Sequence, residues 1–172
     1  MRRRTVLGGL AGVAGLGAGA WYFTQSETGE IVEPVTVESI WAPDGQTQLT
    51  LPEQGRVSVL EFFTTWCDIC AAKMPTIETV YEALDPADTQ LVSVTIEPLG
   101  VTVTESEVET WWSEHDGRWP VTGDPDLHFT RELGVNAVPR TVVLDAANRV
   151  VADETGRLDE STIQDMIETA QR

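Results

Sequence analysis

The amino-acid sequence predicts an α/β fold in which a mixed central sheet carries helices on both faces. Residues 57–63 and 91–96 are almost entirely apolar, as in central strands that are covered on both sides. Between them, residues 67–84 place apolar side chains at helical spacing. Residues 141–145 and 150–154 form a predicted hairpin ahead of a last helix. Strands that alternate with helices and then end in a hairpin indicate a mixed sheet.

The segment before the first central strand is predicted to contain short strands and turns. Pro34 separates two edge strands, at residues 31–32 and 35–37. Residues 42–45, Ala-Pro-Asp-Gly, are a turn signal. Residues 48–51 alternate between polar and apolar side chains, as a half-buried strand does.

Proline and capping residues mark the helices. Pro75 should kink the first helix, because proline lacks a backbone N–H and its ring clashes with the preceding turn. Residues 104–107, Thr-Glu-Ser-Glu, form a capping box that starts a second helix ending near His115. A short helix is predicted over residues 126–133, and Asp159 caps the last one.

The composition limits the possible functions. The chain has 172 residues, enough for one domain, and 41% of them are hydrophobic, so a core can form. It carries 28 acidic and 11 basic residues, which give a net charge of -17. This charge excludes a nucleic-acid-binding function, because phosphate binding needs clustered Lys and Arg. The acidic residues are spread along the chain, which favours adaptation to concentrated salt; a general gain in solubility is the alternative.

Residues 1–23 are interpreted as an export signal of the twin-arginine type or as a membrane anchor. Residues 3–7, Arg-Arg-Thr-Val-Leu, match the twin-arginine pattern, and residues 18–20, Ala-Gly-Ala, suit a cleavage site. The apolar stretch is also at the short end of the length that spans a bilayer. Both interpretations place the domain outside the cytoplasm. Residues 24–36 are then a tether, and residues 37–172 are the folded domain.

The chain's two cysteines, Cys67 and Cys70, lie where the first central strand turns into the first helix. Unpaired N–H groups and the helix dipole favour an anion there, so we expect the pKa of the Cys67 thiol to fall below about 8.5. Cys70 lies one turn further along and can attack a mixed disulfide formed at Cys67. Cys67 is therefore the predicted nucleophile, and Cys70 is the predicted resolving thiol.

Three parts of the sequence together resemble the thioredoxin superfamily, and within it the exported TlpA/ResA-like thiol–disulfide oxidoreductases. They are residues 62–70 (FFTTWCDIC), Pro75, and residues 133–141 (LGVNAVPRT). The resemblance implies a thioredoxin-like fold whose redox group is a Cys67–Cys70 disulfide, with no other cofactor. It also implies that Pro139 is the family's cis-proline, which faces the disulfide.

The sequence has two departures, one from the TlpA/ResA-like pattern and one from plain thioredoxin. Lys73 stands where the TlpA/ResA-like family often has glutamate, and residues 97–119 form a central insert. TlpA-like proteins also carry such an insert. The resemblance does not identify the partner-binding surface. The tryptophans of the insert are interpreted as core packing rather than as a haem contact. They are Trp111, Trp112 and Trp119.

Five residues near the cysteines are candidates for supporting roles. Trp66, Val138 and Pro139 should form an apolar lip that pairs with an extended client segment. Asp68 and Ile69 lie between the cysteines and should tune the reduction potential. The Asp68 carboxylate opposes the helix dipole, which should raise the pKa of the neighbouring thiol and favour a reducing protein.

Glu61 lies six residues before Cys67, on the first central strand. Plain thioredoxins carry a buried acid at the matching position, so the resemblance implies proton transfer with the resolving cysteine. A desolvated carboxyl would have a raised pKa and could act as a general base toward Cys70. The alternative is that Glu61 reaches water or a salt bridge at the sheet edge. Its apolar neighbours favour burial.

The predicted function is that of an exported reductant. By resemblance, its clients would be disulfides of secreted proteins or the haem-attachment cysteines of apocytochrome c, with electrons supplied by a membrane thiol carrier. The alternative is a Sco-type copper chaperone on the same fold. That class has three residues between its cysteines and a histidine near the proline position, whereas residues 138–140 are Val-Pro-Arg. His115 and His128 lack the spacing of a compact zinc site, so no metal site is predicted.

Overall fold

The computed structural model describes residues 29–172, and the predicted signal or anchor over residues 1–23 lies outside them. The strands are β1 (Val35–Trp41), β2 (Gln48–Leu51), β3 (Val57–Phe63), β4 (Thr89–Thr95), β5 (Val121–Gly123), β6 (Arg140–Leu144) and β7 (Val150–Thr155). The helices are α1 (Asp68–Ala83), α2 (Glu105–Glu114), α3 (His128–Glu132) and α4 (Glu160–Ala170). The strands form one sheet in the order β2-β1-β5-β4-β3-β6-β7.

The centre of the sheet explains the two apolar stretches of the sequence. β3 and β4 are parallel neighbours, and every residue of both strands is buried. β5 runs parallel to β4, whereas β6 runs antiparallel to β3. The carboxyl ends of the three parallel strands lie at one edge of the sheet, and Cys67 follows β3 at that edge.

Two apolar clusters cover the two faces of the sheet. One packs β3 side chains such as Val59 against α1, α2 and α4. The other packs β3 side chains such as Leu60 against α3 and the first two strands. Neighbouring residues of one strand serve opposite clusters because side chains alternate between the faces of a sheet. The predicted α/β fold, with a mixed sheet and helices on both faces, is confirmed.

Local signals in the sequence correctly mark most helix starts. The Thr104 hydroxyl accepts from the Glu107 N–H, and the Glu107 carboxylate accepts from the Thr104 N–H at 2.8 Å, which is the predicted capping box. The Asp159 side chain caps α4 through the Thr162 N–H. Pro75 lies inside α1, and the kink expected there stays a prediction.

The fold begins earlier than the predicted boundary at residue 37. Ile31 forms a bridge with Arg149, and Val32 is fully buried. β1 runs from Val35 to Trp41, longer than the short edge strand expected there. The strand is paired on both edges, but apolar and polar residues alternate only over residues 35–38, and the alternation ends where the pairing of β1 with β5 shifts register between Ser39 and Trp41. The last part of the predicted tether therefore belongs to the domain.

Two other segments differ from the sequence prediction. β5 is absent from it, because three residues are too few to show a periodic pattern. The helix predicted over residues 126–133 is a 3₁₀ turn (Pro125–Leu127) followed by the short α3. Asp126 and Leu127 have φ angles of 52° and 54°, which interrupt a continuous helix. None of the helices formed by residues 29–172 has the length and apolar character needed to cross a membrane.

The tryptophans of the insert pack in the core, as interpreted from the sequence. Trp112 and Trp119 are fully buried and meet edge to face, with ring centroids 4.8 Å apart. Trp111 is partly buried and stacks on Phe63 at 5.1 Å. These contacts stabilise the end of β3, from which the chain enters the turn before the cysteines.

Candidate active site

The two cysteines lie at the start of α1 and are joined as a disulfide, with their Cα atoms 5.2 Å apart. Cys67 is the N-cap residue, and its sulfur accepts from the Cys70 N–H at 3.1 Å. A turn in which the Cys67 N–H donates to the Thr64 carbonyl at 3.3 Å leads into the helix. The sulfur of Cys67 therefore occupies the end of the helix where N–H groups favour an anion.

The two sulfurs differ in their exposure. Cys70 is only 4% exposed and belongs to the core cluster, whereas Cys67 is only partly buried. A client sulfur arriving from solvent meets Cys67 first. Cys70 is placed to act only after a mixed disulfide has formed within one helical turn of it. The roles of nucleophile and resolving thiol require such an asymmetry, and the roles themselves stay predictions.

The residues predicted to form the lip are found around this end of the sheet. Trp66 is 74% exposed, although a large aromatic ring is costly to leave in water. The Val138–Pro139 peptide bond is cis, Pro139 is buried, and Val138 is partly buried against the cluster that contains Cys70. Trp66 and Val138 can therefore offer apolar surface to a client beside Cys67.

Asp68 and Ile69, the residues between the cysteines, point away from the core. Both are exposed, Ile69 to 54%, and Asp68 lies in the first turn of α1. Ile69 therefore adds to the exposed apolar surface, in addition to any effect on the reduction potential. The Asp68 carboxylate is the acidic group of the first helical turn, where it can act on the Cys67 sulfur.

Glu61 is buried in the interior of the sheet rather than placed at a sheet edge. It lies on the central strand β3, is 4% exposed, and pairs with Lys73 of α1, which is 1% exposed. The Lys73 Nζ lies 2.8 Å from one Glu61 oxygen and 3.1 Å from the other. Thr141 of β6 donates to Glu61 at 2.6 Å and accepts from Lys73 at 2.6 Å.

This triad of Glu61, Lys73 and Thr141 links the three elements around the disulfide. Lys73 follows Cys70 by three residues and so shares its face of α1. Thr141 follows the cis-proline by two residues. The sequence marks Lys73 as a departure from the family but does not reveal its partner. Lys73 lies on the inward, apolar face of the helix, and this position is the signal that could have predicted a buried acidic partner.

Burial raises the pKa of Glu61, and the Lys73 charge and the hydrogen bonds from Lys73 and Thr141 oppose that rise. A carboxyl with a raised pKa can take up and return a proton closer to neutral pH. Its role as proton acceptor for Cys70 remains a prediction, whereas its burial is a structural fact.

We expect the raised pKa of Glu61 to make the protein less stable as the pH rises. The folded state keeps the Glu61 proton to higher pH than the unfolded state, so it binds more protons above about pH 4.3. The resulting stability is present below that pH and is lost as the pH rises through the folded-state pKa. Urea unfolding of wild type and of Glu61→Gln/Lys73→Met, from acid to neutral pH, checks this. The free energy of unfolding of wild type minus that of the double variant should fall as the pH rises. A difference that stays constant or increases with pH would contradict the prediction.

Glu97 is a site residue that sequence reasoning missed. It follows β4 at the active-site edge and is 7% exposed. Its carboxylate accepts from the Thr65 N–H at 2.6 Å, from the Thr65 hydroxyl at 3.1 Å, and from the Thr95 hydroxyl at 3.3 Å. Thr65 is two residues before Cys67. Glu97 therefore fixes the turn that presents Trp66 and Cys67.

Replacing Glu97 with alanine should destabilise the protein by about 1–3 kcal/mol, because the partly buried Thr65 N–H and hydroxyl lose their acceptor. Glu97→Gln should cost much less, since its amide can accept from the Thr65 N–H and donate to the Thr65 hydroxyl. Urea denaturation of both variants measures the difference. Equal stabilities of the two variants would mean that the hydrogen bonds do not fix the turn.

The histidines have partners away from the cysteines. His115 stacks on Trp111, with ring centroids 4.3 Å apart, and the Nε2 of His128 lies 2.8 Å from the Glu132 carboxylate. Within residues 29–172, no group of three or more His, Cys, Asp or Glu side chains is arranged to hold a metal ion.

The chain is similar to curated thiol–disulfide oxidoreductases over most of its length. It is 19% identical to sporulation thiol-disulfide oxidoreductase A of Bacillus subtilis over 153 residues. This match covers 89% of this chain and 92% of that protein. It is 21% identical over 158 residues to the thiol-disulfide oxidoreductase ResA of Bacillus thuringiensis, which covers 92% of this chain and 88% of that protein.

Solved structures show the same fold. A putative thiol:disulfide interchange protein DsbE from Chlorobium tepidum superposes with a TM-score of 0.71 at 17% identity, covering 85% of this chain and 99% of that one. The exposed lipoprotein thioredoxin Etrx1 from Streptococcus pneumoniae gives a TM-score of 0.66 at 23% identity, with 79% and 98% covered. The Redoxin family matches residues 32–167. The chain therefore belongs to the redoxin family and is a thiol–disulfide oxidoreductase with a thioredoxin-like fold.

Proposed function

We propose that the protein works outside the cytoplasm as a reductant of protein disulfides. The exchange chemistry of this proposal rests on one observation, the different exposure of the two sulfurs at the start of α1: Cys67 is accessible, and Cys70 is buried. The Cys67–Cys70 pair is then the only redox group that the reaction needs.

The reduced protein transfers two electrons to the client in two exchange steps. The Cys67 thiolate attacks one sulfur of the client disulfide, a mixed disulfide forms, and the other client sulfur leaves as a thiolate that takes a proton from water. Cys70 then gives its proton to the Glu61 carboxylate and attacks the Cys67 sulfur, which releases the second client thiolate. The client ends as a dithiol, and the protein ends as the Cys67–Cys70 disulfide.

Lys73 and Thr141 prepare Glu61 for the second step. Both donate to its carboxylate, which stabilises the ionised form that can accept a proton. Without them, burial would favour the protonated carboxyl, which could not accept the Cys70 proton. The triad thus keeps a proton acceptor available in an apolar environment.

The charge around Cys67 supports the reducing direction. Strongly oxidising relatives stabilise the thiolate of the reduced form, whereas the Asp68 carboxylate in the first turn of α1 disfavours a second negative charge nearby. A less stable thiolate makes the reduced protein a better electron donor.

The proposed extracytoplasmic location is supported by the N-terminal sequence and by the relatives. Residues 1–23 carry the twin-arginine-type pattern or serve as an anchor. The structurally similar Etrx1 of Streptococcus pneumoniae is an exposed lipoprotein. Outside the cytoplasm, a membrane dithiol carrier would regenerate the reduced pair, and either secreted proteins or the haem-attachment cysteines of apocytochrome c would be the clients.

Equilibration of the purified protein with a dithiol/disulfide buffer, at low and at high salt, tests the proposed direction. A reductant should have a Cys67–Cys70 reduction potential of about -270 mV, whereas the reduction potential of an oxidant would be about -120 mV. A potential at the oxidising end under both salt conditions would overturn the reductant assignment. It would leave the thiol–disulfide chemistry itself in place.

A further inference from the structure

Arg140, the residue after the cis-proline, is one of two basic side chains that are buried within residues 29–172; Lys73 is the other. The neighbouring Thr141 points to Glu61 and α1, so Arg140 points to the opposite face of the sheet. A guanidinium that is 1% exposed is costly to bury unless all its contacts are satisfied. Its partners therefore show what it does there.

The Arg140 guanidinium joins three separate parts of the chain. Its Nε donates to Asp153 of β7 at 2.7 Å, and one of its Nη atoms donates to the other carboxylate oxygen. The same guanidinium donates to the Gly134 carbonyl at 2.8 Å and to the Leu133 carbonyl at 2.9 Å. A bidentate carboxylate pair fixes its plane, so the two carbonyls are held in a defined direction.

These contacts hold together the two ends of the loop formed by residues 133–139. The first two residues of the loop are bound by the side chain of Arg140, whose own backbone follows the last residue, Pro139. The Pro139 carbonyl also accepts from the Gly156 N–H at 2.7 Å, just beyond β7. Both ends of the loop are therefore anchored to β7, while Val138 within it stays partly exposed and packs against the same apolar cluster as Cys67.

We propose that Arg140, with Asp153, is a positioning residue for client binding: it pre-organises the loop of residues 133–139 against which an extended peptide segment next to a client disulfide lies. The inference rests on the proposed function. A loop that is already ordered saves the entropy of ordering it when the client binds, so the clamp should act on affinity. The Arg140 side chain lies on the face of the sheet opposite to α1, so its loss should leave the exchange chemistry unchanged.

The test compares two substrates of the pre-reduced protein in single-turnover stopped-flow measurements. One is a ten-residue peptide with an internal disulfide, and the other is bis(2-hydroxyethyl) disulfide, which has no peptide backbone. Arg140→Met/Asp153→Leu removes the clamp but leaves no unpaired buried charge, so it should fold. Arg140→Lys keeps a charge opposite Asp153 and loses the fork that reaches both carbonyls. Arg131→Met, on the exposed face of α3, is the matched control.

For the double variant, the half-saturation concentration of the peptide should rise about tenfold, with an intermediate rise for Arg140→Lys. The limiting rate of the double variant with the peptide should match that of wild type and of Arg131→Met. The same holds for its rate with bis(2-hydroxyethyl) disulfide and for its Cys67–Cys70 reduction potential. An unchanged half-saturation concentration in both clamp variants would overturn the inference, and so would equal losses with both substrates. A wild-type protein that reduces neither substrate would overturn the proposed reductant function, and this inference with it.

Discussion

Replacing Cys67 with serine is expected to abolish turnover, whereas replacing Cys70 with serine should stop the reaction halfway. A serine hydroxyl cannot form the mixed disulfide, so Cys67→Ser has no first step. Cys70→Ser keeps the accessible nucleophile at the start of α1 but lacks the thiol that releases the client. It should therefore accumulate about one equivalent of covalently bound client per chain, which mass spectrometry under non-reducing conditions detects.

The same two variants also test the exposure asymmetry directly. In the reduced proteins, the remaining thiol is Cys67 in one variant and Cys70 in the other, so alkylation by iodoacetamide reports on each separately. Cys67 should react faster at neutral pH, because it is accessible and lies at the helix N-terminus, whereas Cys70 is 4% exposed. Trapping of client by Cys67→Ser instead, together with faster alkylation of Cys70, would reverse the assigned roles.

The parts of this protein that the sequence predicts are those encoded within a few neighbouring residues. The cysteine pair at a strand–helix junction, the Thr104 capping box and the apolar stretch of β3 are each local patterns. Their physical causes, such as helix capping and burial on both faces of a sheet, act over the same short distances. They could therefore be located without knowledge of the fold.

The missed features depend on packing between distant segments. Glu97 meets Thr65 across 32 positions of sequence, and Thr141 meets Glu61 across 80. Each residue alone is compatible with an exposed surface. Burial of Glu61 could be predicted because its neighbours on the strand are apolar. The pairing of Glu61 with Lys73 could not be predicted, because this contact depends on how α1 packs over β3.

The start of the domain shows the same limit. Apolar and polar residues alternate in β1 only over residues 35–38, which pair with β2, so the pairing of Ser39 and Trp41 with β5 leaves little trace in the sequence. The position of Val32 in the core likewise depends on its hydrogen bond to Asn148, whose carbonyl lies 2.9 Å from the Val32 N–H. Strand pairing between distant segments is decided by register and not by local composition.

Removing the Lys73 charge should be strongly destabilising and should also slow release of the client. Lys73→Met leaves the Glu61 carboxyl buried in the core without its cation, and breaking such a pair costs about 3–5 kcal/mol at neutral pH. The charge that opposes the rise of the Glu61 pKa is also lost, so Glu61 should become protonated at higher pH than in wild type. A protonated Glu61 cannot take the Cys70 proton, and the second exchange step should slow.

The acid side of the pH range and a double variant separate these effects from a simple packing defect. A protonated Glu61 can still share a hydrogen bond with Thr141, so the stability lost in Lys73→Met should shrink as the pH falls toward about 4.3. Glu61→Gln/Lys73→Met has no buried charge and should recover most of the stability at neutral pH, yet its client release should stay slow because it lacks an acceptor. Urea unfolding and single-turnover kinetics from acid to neutral pH measure both properties. If the double variant recovered stability and also released client at the wild-type rate, Glu61 would be a structural partner of Lys73 and not the acceptor of the Cys70 proton.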